Sequence, residues 1–285
     1  MRARLILVVI MSAFSWAGVM QSLTAQFAEI HSEHFLFGYP TGTPASNDLI
    51  IRDLYALSSN DQTKFADWVA YRLTPMEVMG SLDLFRNFRN DPFLEPDETL
   101  EANPASQDDY AGASALDYDR GHLAPLGSFK GSRQASQVNY YSNIVPQQAA
   151  LNRGPWQRLE SDVRTIVCTP AIVWVMTGSF YDGATPAPLL PNAINDPHIV
   201  PTGFWKIVAT GDPLFVAAFS FDQNTPSGDD ITDHLVSVEE IQMRSGLDFF
   251  RELTGPEQDM LEMNPKTQAE WDAVVIAGGC PQILP

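Results

Sequence analysis

The sequence predicts an α+β fold built on a mostly antiparallel sheet. Three observations carry this. Apolar runs of strand length dominate the second half, at residues 172–178, 204–210 and 214–221. A central stretch reads strand, loop, strand, helix, over residues 118–124, 138–146 and 152–167. The composition is continuous, with no linker-like or repeated segment, so residues 26–285 are expected to form one domain.

In chain order, residues 26–48 are rich in Gly, Pro, Thr and Ser after His34 and read as an irregular arm. Residues 49–57 suit a strand that enters a turn at 58–61, and residues 65–73 suit another. Residues 90–115 hold Pro92, Pro96 and Pro104 among several acids and read as a long loop. In the central helix Pro155 occupies the first turn, and Trp156, Leu159, Val163, Ile166 and Val167 form its apolar stripe. Residues 236–245 are amphipathic and residues 247–253 are expected to add a further helix. Trp68, Trp174 and Trp205 suit the core. His31 and His34 fall in the arm and carry no expected role, while His198 and His234 suit surface or hydrogen-bonded positions.

The ends of the chain speak for export. Arg2 and Arg4 precede an apolar run over residues 5–20, and a polar stretch follows that ends in Leu-Thr-Ala at Ala25. This is the pattern of a secretory signal peptide over residues 1–25, giving a secreted or periplasmic protein. An uncleaved anchor is the alternative, but the run falls short of the ~20 residues a spanning helix needs. Cys168 and Cys280 are the 2 cysteines. Their spacing is no zinc motif, and an oxidising compartment permits them to pair; two separate buried thiols are the alternative.

The formal net charge is −18, and loss of residues 1–25 removes Arg2 and Arg4 but no acid, leaving −20. Such acidity alone argues against a polyanionic partner. The distribution of the charge points the other way. Residues 120–159 contain no Asp or Glu, yet carry Arg120, Lys130, Arg133, Arg153 and Arg158.

That stretch also holds the candidate chemistry. Asp119-Arg120-Gly121-His122 is followed by Asn152, Glu160 and Arg164. On one helix Asn152, Trp156, Glu160 and Arg164 step by four and drift slowly around a single face. The residue types suit phosphodiester hydrolysis. An imidazole titrates near working pH and can deprotonate a water. An amide oxygen and a carboxylate suit Mg²⁺, which keeps most of its own waters. Guanidinium groups hold phosphate in a fork geometry. Nothing in this set reads a base edge, so cutting without sequence preference is expected. Taken singly, His122 could be a surface turn and Asn152 a helix cap.

The strings DRGHLAPLGSF and NYYSNIVPQQAALNRGPWQRLE resemble the signature of the DNA/RNA non-specific endonuclease family, and in particular its secreted, Serratia-type branch. KFADWVAYRLT, RNFRNDP, HIVPTGFWKIV, FDQNTPSGDD and VSVEEIQMRSGL extend the likeness over roughly residues 37–282. The resemblance implies a ββα-metal (His-Me finger) fold and a magnesium-dependent hydrolase, with Mn²⁺ as the alternative ion. Its partners would be DNA and RNA, single- and double-stranded, and its products 5′-phosphate ends. It makes His122 the general base, Asn152 the direct metal ligand and Glu160 the acid that holds the metal's waters. Arg86 and Arg164 become the phosphate-binding arginines, with Arg89 a nearby competitor for the first role. Arg120 is expected to face the substrate, and Asp119 and Asn143 to support the loop and His122. Arg89, Arg153 and Arg158 otherwise suit a solvated surface.

Two departures stand out. Related enzymes carry two disulfides, whereas only Cys280 here sits at a family cysteine position, so the pairing cannot be inherited. The acidity also predicts an activity optimum at raised salt, where long-range repulsion of nucleic acid is screened. The competing readings are a catalytically inactive nucleic-acid-binding protein and a secreted phosphodiesterase of small substrates. Oligomeric state is left open between monomer and homodimer.

Overall fold

A computed structural model describes residues 30–102, 108–169, 172–183 and 188–279. The expected leader and Cys280 lie outside these residues. Within them the architecture is a seven-stranded, wholly antiparallel sheet, a separate two-stranded ribbon, and helices on both sheet faces.

The sheet begins with β1 (Asp48–Ile51), β2 (Ala56–Asn60) and β3 (Phe65–Leu73). The run read as a single strand over 49–57 is instead a hairpin, because the chain reverses where the Arg52 N–H donates to the Tyr55 carbonyl at 2.9 Å. The short helix α1 (Pro75–Val78) follows, and then β4 (Tyr118–His122) and β5 (Ile144–Gln148) pair as the ribbon. Two helices come next, α2 (Ala149–Asn152) and α3 (Pro155–Ile166). Strands β6 (Val173–Phe180), β7 (Gly203–Thr210), β8 (Phe215–Asp222) and β9 (Leu235–Val236) complete the sheet in the order β1-β2-β3-β6-β7-β8-β9. The chain continues through α4 (Val238–Ser245), α5 (Gly255–Glu262) and α6 (Gln268–Gly278).

Alternation along the strands divides the core in two. Val69, Tyr71, Val175, Phe204, Val208 and Phe219 face the ribbon, α3 and α6, where they meet Leu123, Phe129, Trp156, Leu159 and Trp271. Trp68, Ala70, Met176, Trp205, Ile207 and Ala209 face the other way, toward α4, Phe249 and the arm residues Phe35, Phe37 and Tyr39. The arm is therefore irregular but anchored by its aromatic side chains. His34, expected to be idle, is buried, with Nε2 2.8 Å from the Arg52 carbonyl. Trp174 is half-buried at the edge of the second core, and its indole donates to the Glu33 carbonyl.

Three further expectations are corrected. Residues 138–143 form tight 3₁₀ turns rather than strand, because Asn143 turns its side chain onto backbone: its amide takes the Ala124 N–H and donates to the Ala124 and Val138 carbonyls. Residues 247–253 are not helical. Asp248 bridges Thr41 of the arm, and Phe250 adopts a left-handed φ of 53° that no helix accommodates. The helix expected over 152–167 is broken at Gly154, where a side chain would meet the Ala150 carbonyl at 2.4 Å. Asn152 thus ends one helix while Glu160 and Arg164 belong to the next. Among the described residues, no helix is long and apolar enough to cross a membrane.

Candidate active site

The ribbon, α2 and α3 enclose a cavity of about 650 Å³. Arg86, Asp119, Arg120, His122, Asn152, Glu160 and Arg164 all line it, together with Lys130 and Arg153. The acid-free stretch supplies much of the wall, and Asp119 and Glu160 are the two carboxylates there. Residues scattered over almost eighty positions therefore meet at one site. Arg86 reaches it and Arg89 does not: Arg89 bonds Ser136 and stacks over Tyr140.

His122 ends β4 opposite Ile144. Gly121 precedes it because a side chain there would approach Gln147 to within 2.7 Å. The imidazole Nε2 lies 3.0 Å from Oδ1 of Asn139, whose amide nitrogen donates to the Phe85 carbonyl at 2.9 Å. Phe88 packs beside the ring at 5.6 Å between centroids. Burial pushes the His122 pKa down to about 4; the Asn139 bond opposes this and the positive charge of Arg86 adds to it. The ring is neutral at neutral pH and able to accept a proton.

Asn152 donates from Nδ2 to Asp119 at 2.8 Å. That bond sets which way the amide faces and leaves its carbonyl oxygen for another partner. Arg153 grips the same carboxylate through two bonds, at 2.8 and 2.5 Å. Burial pushes Asp119 up, but the bonds from Arg153 and Asn152 outweigh it and hold the carboxyl below its ordinary range. Arg153, expected to be merely solvated, thus belongs to the wall. Arg158 likewise ties the carbonyls of Ser227 and Asp229 to α3. Asn143, through its buried clamp on Ala124, fixes the turn that follows His122.

Glu160 faces the cavity from α3. Burial pushes its carboxyl above the ordinary range, opposed first by Lys206 and then by Arg164 and Arg86. Arg86 and Arg164 form no hydrogen bond and no close ion pair with any described residue; their charges act on Glu160 across the cavity, and that of Arg86 also on Asp119. Arg120 differs. It pairs with Asp108 at 2.7 Å, donates to the Tyr141 hydroxyl at 2.9 Å and lies over the rings of Phe88 and Tyr110. Only part of its side chain is turned to the cavity, with 31% exposed. Sequence reasoning missed Asn139, Asp108 and Lys206. Lys206 was detectable as a lone charge within an apolar strand; the other two gave no such signal.

An imidazole, an oriented amide, a half-buried carboxylate and guanidinium groups without close ion pairs meet on one cavity of an α+β scaffold, a set of residue types that suits phosphodiester chemistry. Residues 32–255 match the model of the DNA/RNA non-specific endonuclease family, and the chain belongs to that family. It is 40% identical to a nuclease of Serratia marcescens over 237 residues, spanning 80% of this chain and 84% of the relative. It is 31% identical to human mitochondrial endonuclease G, over 73% of this chain and 71% of that protein. Among solved structures, the EndoG/EndoGI complex aligns with a TM-score of 0.64 at 25% identity, over 76% of this chain and 90% of the other. The protein is accordingly a hydrolase of nucleic acids, with the ββα-metal fold expected from its motifs.

Proposed function

We propose that this is an exported, magnesium-dependent nuclease that cuts DNA and RNA without sequence preference and leaves 5′-phosphate ends. The observation that carries the reading is the placement of His122, Asn152, Glu160 and the unpaired Arg86 and Arg164 around one cavity. In this reading Nδ1 of His122 takes the proton from the attacking water, because Asn139 occupies Nε2. Arg86 and Arg164 hold the scissile phosphate and the charge that develops on it. Arg120, already engaged by Asp108, contributes positive field and a partial contact rather than a full fork.

The donor set fits a hard divalent cation. The free amide oxygen of Asn152 would serve as a direct oxygen ligand, and Glu160 would accept hydrogen bonds from the cation's waters. When bound, such a cation stabilises negative charge on the phosphoryl and leaving oxygens. Mn²⁺ satisfies the same donors. Export, and pairing of Cys168 with Cys280, belong to the same proposal and rest on the leader-like N-terminus and the cysteine count.

Purified protein incubated with plasmid DNA and with RNA, with Mg²⁺ or with EDTA, tests the reading. The expected result is cleavage of both polymers that EDTA abolishes, with products that ligase rejoins only if they carry 5′-phosphates. Binding without cleavage would overturn it in favour of a nucleic-acid-binding protein. Turnover of a small chromogenic phosphodiester but not of the polymers would do so in favour of a small-substrate enzyme.

A further inference from the structure

Strand β7 reads Gly-Phe-Trp-Lys-Ile-Val-Ala-Thr, and all eight of its residues are buried. Lys206 is the sole charge among them and has no exposed surface. Alternation puts it on the face of Phe204 and Val208, which looks toward α3. Its ammonium makes no hydrogen bond and lies 4.2 Å from the centroid of the Trp156 ring. Trp156 stands one helical turn before Glu160 on α3.

A buried ammonium is costly and persists where an opposite charge or a function compensates it. The indole face offers part of that compensation. The rest is Glu160, which lies one turn beyond Trp156 on the same helix; the two charges stand beyond ion-pair distance, and the pull of Lys206 favours the charged form of Glu160. Arg86 and Arg164 also face Glu160, but they line the cavity and are the groups a phosphate would engage. Lys206 is closed off from the cavity and cannot be drawn away by substrate.

We infer that Lys206 is a positioning residue, a buried counter-charge that anchors the Glu160 carboxylate from the sheet side while Arg86 and Arg164 serve the substrate. This rests on the reading that Glu160 holds the waters of the bound cation. Loss of Lys206 should therefore act on metal use and leave nucleic-acid affinity alone.

The test uses the full protein carrying Lys206→Met or Lys206→Gln, compared with wild type and with Glu160→Gln. Three quantities are read: the rise in Tm on adding MgCl₂, the Mg²⁺ concentration for half-maximal cleavage, and KM for DNA. The expected result is a folded variant whose Tm rise is largely lost and whose Mg²⁺ midpoint is raised about tenfold or more. KM for DNA should stay within about twofold, and Lys206→Met should add little to Glu160→Gln because the two act as a unit. The inference is overturned by a wild-type Mg²⁺ midpoint in the variants, by losses that add to those of Glu160→Gln, or by failure of both variants to fold, which would make Lys206 a stability residue. A wild-type protein with no Mg²⁺ response at all would instead sink the reading of Glu160 itself.

Discussion

Oδ1 of Asn139 sits 3.0 Å from Nε2 of His122, and the other end of the same amide is tied to the Phe85 carbonyl. The second bond fixes the flip of the amide, so the imidazole must present an N–H at Nε2 and a lone pair at Nδ1. Asn139→Ala should therefore lower kcat by about 10²-fold through misorientation while leaving KM nearly unchanged. Steady-state kinetics on a defined oligonucleotide check this, and a rise in KM alone would point to a substrate contact instead.

The depressed pKa of His122 sets a pH signature. The ring accepts protons throughout the range above about 4, so the acid limb of kcat/KM should fall well below the ordinary 6.5. The same shift acts on folding. Between about 4 and 6.5 the unfolded chain binds a proton that the folded ring refuses, so this group makes stability rise with pH across that window. His122→Ala should remove that slope, measured by urea unfolding at several pH values, and lower kcat by ~10²–10⁴-fold.

Asp119 touches no reacting atom in this mechanism; it orients Asn152 and holds Arg153. Asp119→Ala frees the amide to turn. The Mg²⁺ concentration for half-maximal cleavage should rise about 10- to 100-fold, the usual cost of losing a residue that orients a metal ligand. Metal titrations of cleavage rate decide this, and an unchanged midpoint would detach Asp119 from metal use.

Arg86 and Arg164 make no hydrogen bond or close ion pair among the described residues and meet Glu160 only through longer-range charge, so removing either should break no direct contact in the free protein. Arg86→Ala and Arg164→Ala should each weaken kcat/KM by an amount worth ~1.5–3 kcal/mol, the range for hydrogen bonds to charged groups. Their Tm should stay near that of wild type. A large loss of stability would assign them a structural role.

With a charge of −20 after loss of residues 1–25, the protein should be most active at raised salt. Low salt leaves repulsion of nucleic acid unscreened, and high salt weakens the phosphate contacts. A cleavage rate that only declines as NaCl is added from ~10 mM upward would contradict this.

Much of the fold was readable because its strands are short, apolar and bounded by turn residues. β3 matched its expected span, and β6, β7 and β8 came within two residues of theirs. The failures share a cause. At 52–55 the backbone closes a local turn, at 138–143 it follows side-chain hydrogen bonds, and near 250 it follows tertiary contacts, none of which residue periodicity encodes. Gly154 is the instructive case: its neighbours keep a helical spacing, but its own backbone leaves the helical region at φ −106° and ψ −116°, and the close approach of Ser227 leaves no room there for a side chain. For the cavity, the motif and its family resemblance singled out His122, Asn152, Glu160, Arg86 and Arg164, which the fold brings together. Asn139 was not, since an amide that orients a histidine carries no local signal. Asp108 was hidden in a loop of acids, and only the fold brings it to Arg120.

Diffraction from crystals grown with Mn²⁺ tests the central claim most directly. The expected result is an anomalous peak about 2.0–2.2 Å from Oδ1 of Asn152, on the side facing Nδ1 of His122, with Glu160 reaching it through water. Among the described residues, Asp48, Asp61 and Glu98 form the one cluster of three carboxylates close enough to share an ion. A peak there with none at Asn152 would contradict the assignment of the metal to the cavity.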